Sequence, residues 1–276
     1  MTTLTLTPPK QAVSPRRFAS EVSLLVGRGF RMLPRVPERL LDVTLQPVVF
    51  TLLFLYVFGS ALHITDPAGH PIRYQDYLLP GLLGQQLVFG LIGTGTATAN
   101  DFASGVVDRF KSLPVHRLAI LTAQVVGQVL EQVLGLLIVV GIGLVCGWRP
   151  TFGVGGFFEL TGLILLGLVA FTWFGVLIGM VFRSSDAVQG VGFSLVFPLS
   201  FLAGTFVPIQ GMALIPRVIG EWDPIAALVA SVRKVCQGTP SSGSWMLEHP
   251  EVSMVGWCTL IIAVCMPLAL RRFSRS

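Results

Sequence analysis

One ionisable side chain stands deep inside an apolar stretch of this sequence: Glu131, accompanied by Gln124, Gln128 and Gln132. At 3.6 residues per turn these four share one helical face. An ionised carboxylate at the centre of a bilayer costs about 3 kcal/mol on insertion scales, so Glu131 must face protein or water, or keep its proton. Two kinds of chemistry fit the face. It could line a substrate path or proton relay, or it could form an interhelical hydrogen-bond seam. Gln85 and Gln86, in a second apolar stretch, are further candidates to line a path.

Other chemistry is missing. Only three lysines occur, Lys10, Lys111 and Lys234, and none follows a glycine, so the chain has no glycine-rich phosphate loop with its lysine. His63, His70, His116 and His249 are isolated and lack metal-ligand spacing. No nucleophile, base and orienting acid come together, so no catalytic residue, resident metal or cofactor is predicted. Cys146 and Cys236 both fall near one side of the predicted topology and could pair, though their spacing does not demand it. Cys258 and Cys265 read as core residues.

A second kind of site lies in the tract 101–117, DFASGVVDRFKSLPVHR. Phe102, Val106, Val107, Phe110 and Leu113 recur at roughly helical spacing, with Asp108, Arg109 and Lys111 between them. Pro114 stops the pattern. This reads as a small amphipathic helix on a loop, available to a partner in the water.

The elements that must position these residues are set by the solvent. The chain has 276 residues, of which 12% are charged, against about 25% in an ordinary soluble domain. Its mean hydropathy is +0.75. The intervals between charges are long: 23 residues between Asp42 and Asp66, 24 between Asp76 and Asp101, 30 between Asp186 and Arg217, and 19 between Glu251 and Arg271. Arg117 to Arg149 contains only Glu131, and Arg149 to Arg183 only Glu159, which sits near a span end within reach of water. About 20 residues cross a bilayer. The expected fold is therefore an all-α integral membrane protein with six spans, at about 41–63, 77–99, 118–146, 157–182, 188–206 and 252–270. The first 15 residues form a disordered tail, and 16–276 a single domain. Residues 16–33, including Arg17 and Glu21, form an amphipathic interfacial helix. Residues 208–233, apolar but punctuated by proline, form a re-entrant or interfacial helical element. With six spans, 14 of the 19 basic residues fall on the side of the termini, which places both termini and the tract 101–117 in the cytoplasm of a plasma-membrane protein.

The tract Ser104–Val115 resembles the coupling segment of the permease subunits of type-2 ABC exporters, in particular the daunorubicin-resistance branch of actinobacteria. Phe206-Val207-Pro208 is similar to that family's Phe-x-Pro step. Trp222-Asp223-Pro224-Ile225 with Arg233 is similar to its Asn-Pro…Arg pattern, Asp223 standing where Asn is usual. The resemblance runs from about residue 16 to 272. It implies an ATP-driven exporter of a hydrophobic drug, lipid, glycolipid or polyketide-type compound. A separate cytosolic ATPase, in two copies, would bind ATP and magnesium. Its coupling contacts would be Gly105, Asp108, Arg109, Phe110, Lys111 and Pro114, with Arg17 and Glu21 on the interfacial helix. A second permease, identical or homologous, would complete the pore. A carrier driven by an ion gradient through Glu131 is the competing expectation.

Overall fold

The computed structural model describes residues 20, 22–24, 26–27, 37–59, 64–65, 71–106, 117–238 and 244–275. Most of the interfacial segment 16–33, with Arg17 and Glu21, and the tract from Val107 to His116 lie outside the described residues. The described chain is helical apart from one small hairpin. The helices are α1 (Pro37–Phe58), α2 (Tyr74–Ala103), α3 (Arg117–Val145), α4 (Val154–Phe182), α5 (Ser185–Leu202), α6 (Leu214–Trp222), α7 (Pro224–Gln237), α8 (Trp245–Glu248) and α9 (Pro250–Arg275). Among the described residues, α2, α3, α4, α5 and α9 contain stretches long and apolar enough to cross a membrane, and α1 contributes a shorter apolar stretch, Thr44–Phe58. All-α membrane architecture is the fold.

Three local features differ from the sequence expectation. The antiparallel hairpin β1 (Ile64–Thr65) and β2 (Pro71–Ile72) lies between α1 and α2, within an otherwise all-helical expectation. The fifth span ends at Leu202, short of 206, because the chain reverses at Gly204, whose φ of +74° is left-handed. The element expected at 208–233 is two helices, α6 and α7, meeting at Asp223.

Helix α2 is the axis of the bundle. It packs against α4, α7, α5, α3 and α1, and leucines 78, 79, 83, 87 and 91 are buried along it. Its contact with α4 is made by small residues. A methyl group on Gly175 would stand 2.5 Å from the Leu91 carbonyl oxygen, and one on Gly179 would strike the Gly95 carbonyl. The pair Gly175-x-x-x-Gly179 thus lets two backbones meet, which is how helices without a hydrophobic driving force between them gain contact in lipid.

Pro80 lies inside α2 and cannot donate to the Asp76 carbonyl one turn back. Gln237 Nε2, from the end of α7, donates to that carbonyl instead. The side chain makes good the loss.

Candidate functional site: a polar cleft and a helix latch

A cleft of about 880 Å³ opens between α1, α2, α3 and α5, within the range of ordinary small-molecule sites, about 300–1,000 Å³. Its lining includes the apolar and aromatic side chains of Val49, Phe50, Phe89 and Phe193 and the polar ones of Gln86, Asn100, Asp101, Gln128, Glu131 and Gln132. Carboxylates and amides therefore converge on a surface that also presents rings, a combination suited to an amphipathic molecule.

The five residues expected along a path are divided by the structure. Gln86, Gln128 and Glu131 face the cleft. Gln124 is instead tied into a seam, its Nε2 donating to Thr98 Oγ1 at 3.0 Å and to Asp101 Oδ2 at 3.2 Å. Gln132 belongs to both. It lines the cleft while its Nε2 donates to Thr172 Oγ1 at 3.0 Å and Thr94 Oγ1 at 3.4 Å, joining α3 to α4 and α2. The absence of a side chain at Gly90 makes room for the Gln132 amide. Gln85 is buried and lines a smaller pocket behind Phe50 and Phe89. The polar stripe on α3 is thus divided between residues that face the cleft and residues that hydrogen-bond to neighbouring helices.

Sequence reasoning missed Gln46, Thr51 and Gln189. Gln46 and Gln189 line the cleft, and Thr51 lines the smaller pocket. The available signal was the same one used for Gln85: an amide or hydroxyl interrupting an apolar run.

Of the residues expected to contact an ATPase, Gly105 is described. It is exposed, with φ +70°, at the turn that ends α2. Asp108, Arg109, Phe110, Lys111 and Pro114 lie outside the described residues.

The residues after α5 form a second polar constellation. Arg233 on α7 lays its guanidinium 3.8 Å from the centre of the Tyr77 ring. Its Nη2 donates to the carbonyls of Gly204 at 3.1 Å and Tyr77 at 3.3 Å, and Tyr77 Oη also donates to the Gly204 carbonyl at 2.9 Å. The reversal at Gly204 is thereby latched to α2 and α7. Phe206 stacks on Phe54 of α1 with centroids 4.0 Å apart. Asp223 caps α7: its Oδ1 accepts from the Ile225 N–H at 2.9 Å, and Pro224 takes the first helical position. Burial pushes the Asp223 carboxyl up to about 7, against the opposing pull of that N–H. Cys146 and Cys236 are free thiols, as are Cys258 and Cys265, so the pairing considered from sequence is not formed. Among the described residues, no three His, Cys, Asp or Glu side chains group in a way that would hold a metal.

This fold can be placed by comparison with known proteins. The family described as ABC-2 type transporter matches residues 20–236. The chain belongs to that family. It is similar to the daunorubicin resistance ABC transporter permease protein DrrB1 of Streptomyces coeruleorubidus, 30% identical over 89% of this chain and 83% of the relative. A doxorubicin resistance ABC transporter permease protein of Mycobacterium tuberculosis is 27% identical over 71% of this chain and 69% of its own length. A putative transport permease of Cyanophora paradoxa, ycf38, is 24% identical over 84% and 78% respectively. This ABC-2 permease is thus the membrane-spanning subunit of an exporter and a multi-pass protein of the plasma membrane. An ATPase partner is implied by its family. Family membership favours the exporter over the carrier driven by an ion gradient.

Proposed function

We propose that this permease moves an apolar or amphipathic compound, of drug, lipid, glycolipid or polyketide type, from the cytoplasmic side to the outside through the cleft between α1, α2, α3 and α5. The observation that carries the reading is the family match across residues 20–236, with relatives named for daunorubicin and doxorubicin resistance. The chemistry of the cleft supports it, since aromatic rings and amides together suit a cargo with a flat apolar body and a few polar groups.

In this reading both termini are cytoplasmic and residues 16–276 act as one permease domain. Two copies of a cytosolic ATPase bind ATP and magnesium. They grip Gly105, Asp108, Arg109, Phe110, Lys111 and Pro114, with Arg17 and Glu21 alongside. Closure of the ATPases rocks two permeases, identical or homologous, and opens Gln86, Gln128 and Glu131 in turn to each side. Gln124 and Gln85 act from behind the wall, as seam and side pocket.

The test is purification of the detergent-solubilised chain from its native membrane. A stoichiometric ATPase should come with it and should be lost when residues 104–114 are deleted. Copurification unchanged by that deletion would sink the coupling assignment, and a preparation with no ATPase would sink the exporter reading itself.

A further inference from the structure

Among the described residues, Arg183 is the one non-glycine residue whose φ, +51°, is left-handed. It closes α4, its N–H donating to the Gly179 carbonyl at 3.0 Å. Glycine is the usual choice at such a helix end, because a Cβ is strained there. The Arg183 side chain is thus held against local strain, a condition that points to use. Its guanidinium lies 5.9 Å from the centre of the Phe102 ring, within reach of cation–π attraction. Phe102 stands in the last turn of α2, just before the turn at Gly105 from which the chain leaves for the tract 107–116. The same ring meets Phe273, near the end of α9, edge-on with centroids 6.4 Å apart, and Phe273 is buried. One ring at the root of the tract therefore touches both α9 and the link between α4 and α5. That link is short. Only Arg183 and Ser184 separate the two helices, and Ser184 caps α5 by accepting from the Ala187 N–H at 3.4 Å. Helix α4 is bound to α2 through Gly175 and Gly179, whereas α5 is the least buried span and carries Gln189 and Phe193 to the cleft. A displacement at Phe102 has no slack loop to cross before it reaches α5.

We propose that Arg183 is a positioning residue for transport: through its contact with Phe102 it passes movement of the tract after α2 to α5, and so to one side of the cleft. The inference rests on the coupling reading above and deepens it, by naming the joint through which the ATPase acts on the cleft. The Phe273 ring braces Phe102 from the side of α9, so a pull on the tract moves Arg183 instead of swinging the Phe102 ring aside.

The test uses the full chain with its copurified ATPase in lipid nanodiscs. ATP and orthovanadate arrest the ATPase after hydrolysis, and hydrogen–deuterium exchange reads the permease, so no cargo is needed. In the wild type, arrest should change the exchange of peptides covering 183–193. Arg183→Gly, which suits a left-handed φ, should keep the thermal midpoint or raise it and should copurify with an ATPase that still traps nucleotide. It should nevertheless lose most of the exchange response. Phe102→Leu should lose it too, and Phe102→Tyr, which keeps the ring, should retain it. An undiminished response in either Arg183→Gly or Phe102→Leu would overturn the inference. So would a wild type whose arrested ATPase leaves 183–193 unaltered, or a lowered midpoint in Arg183→Gly, which would make the contact structural only. A wild type that brings no ATPase would bring down the export reading, and the inference with it.

Discussion

Asp223 holds one carboxyl oxygen on the Ile225 N–H and keeps the other inside the protein without a partner among the described residues. Its proton is retained to about pH 7 in the folded chain, against 3.8 for a free carboxyl. The stability this proton confers is complete below pH 3.8 and is lost as the pH rises through about 7, because only the unfolded chain ionises in between. Thermal unfolding in detergent should therefore show a midpoint that falls between pH 4 and 7. Asp223→Asn, which cannot ionise, should flatten that slope and raise the midpoint at pH 8 by several degrees. An unchanged slope would place the titrating group elsewhere. A different outcome is expected on the water side. Asp108→Ala and Arg109→Ala should insert normally, judged by yield and gel-filtration profile, yet abolish cargo-stimulated ATP hydrolysis; full stimulation in both would remove them from the coupling contact. The sequence drew attention to Gln86, Gln128 and Glu131, because polar groups in an apolar run must face something other than lipid. It could not separate them from Gln124, because the difference depends on Thr98 and Asp101, 26 and 23 residues away along the chain.

The junction of α2 and α4 is fixed by what Gly175, Gly179 and Gly95 lack. Gly179→Val would drive side-chain atoms into the Gly95 carbonyl and the Thr98 side chain, and neither backbone can retreat without parting the two helices. Overpacking of this kind costs about 1–3 kcal/mol, or more where the obstacle is main chain. A fluorescence-based thermal assay should show a sharply lower midpoint or loss of folded protein. Gly127→Ala on α3, whose added methyl meets nothing within 4 Å, should leave the midpoint unchanged or slightly raised. Equal effects would deny the close contact. The long helices were legible because charge is excluded from lipid: the run free of charge that follows Asp76 coincides closely with α2, whereas the one that follows Asp186 runs on well past the end of α5. The two helices at 214–237 were not separable, since their division rests on Asp223 capping α7 rather than on any change of hydropathy. The hairpin of two-residue strands is too short to leave a periodic signal at all.

At the scale of the whole molecule, the latch and the cleft lie among different sets of helices. The latch of Arg233, Tyr77 and the Gly204 carbonyl binds α2, α7 and the reversal after α5 into one unit, and Lys234 Nζ extends it to α9 by its bond to Glu251 at 2.8 Å. The cleft lies instead among α1, α2, α3 and α5, and of these α5 is the least buried span. Helix α5 is also short. Its 18 residues rise about 27 Å, against about 30 Å of hydrocarbon, whereas the 29 residues of α4 rise well over 40 Å. A long helix answers a thin membrane by tilting, but a short one obliges the lipid to thin around it. Lipid packed against α5 should then thin, which couples bilayer thickness to one side of the cleft. Turnover in vesicles of graded acyl-chain length should peak at short chains and decline as the chains lengthen; a flat profile would show that α5 is shielded from lipid. The membrane's own thickness then sets how fast the transporter runs.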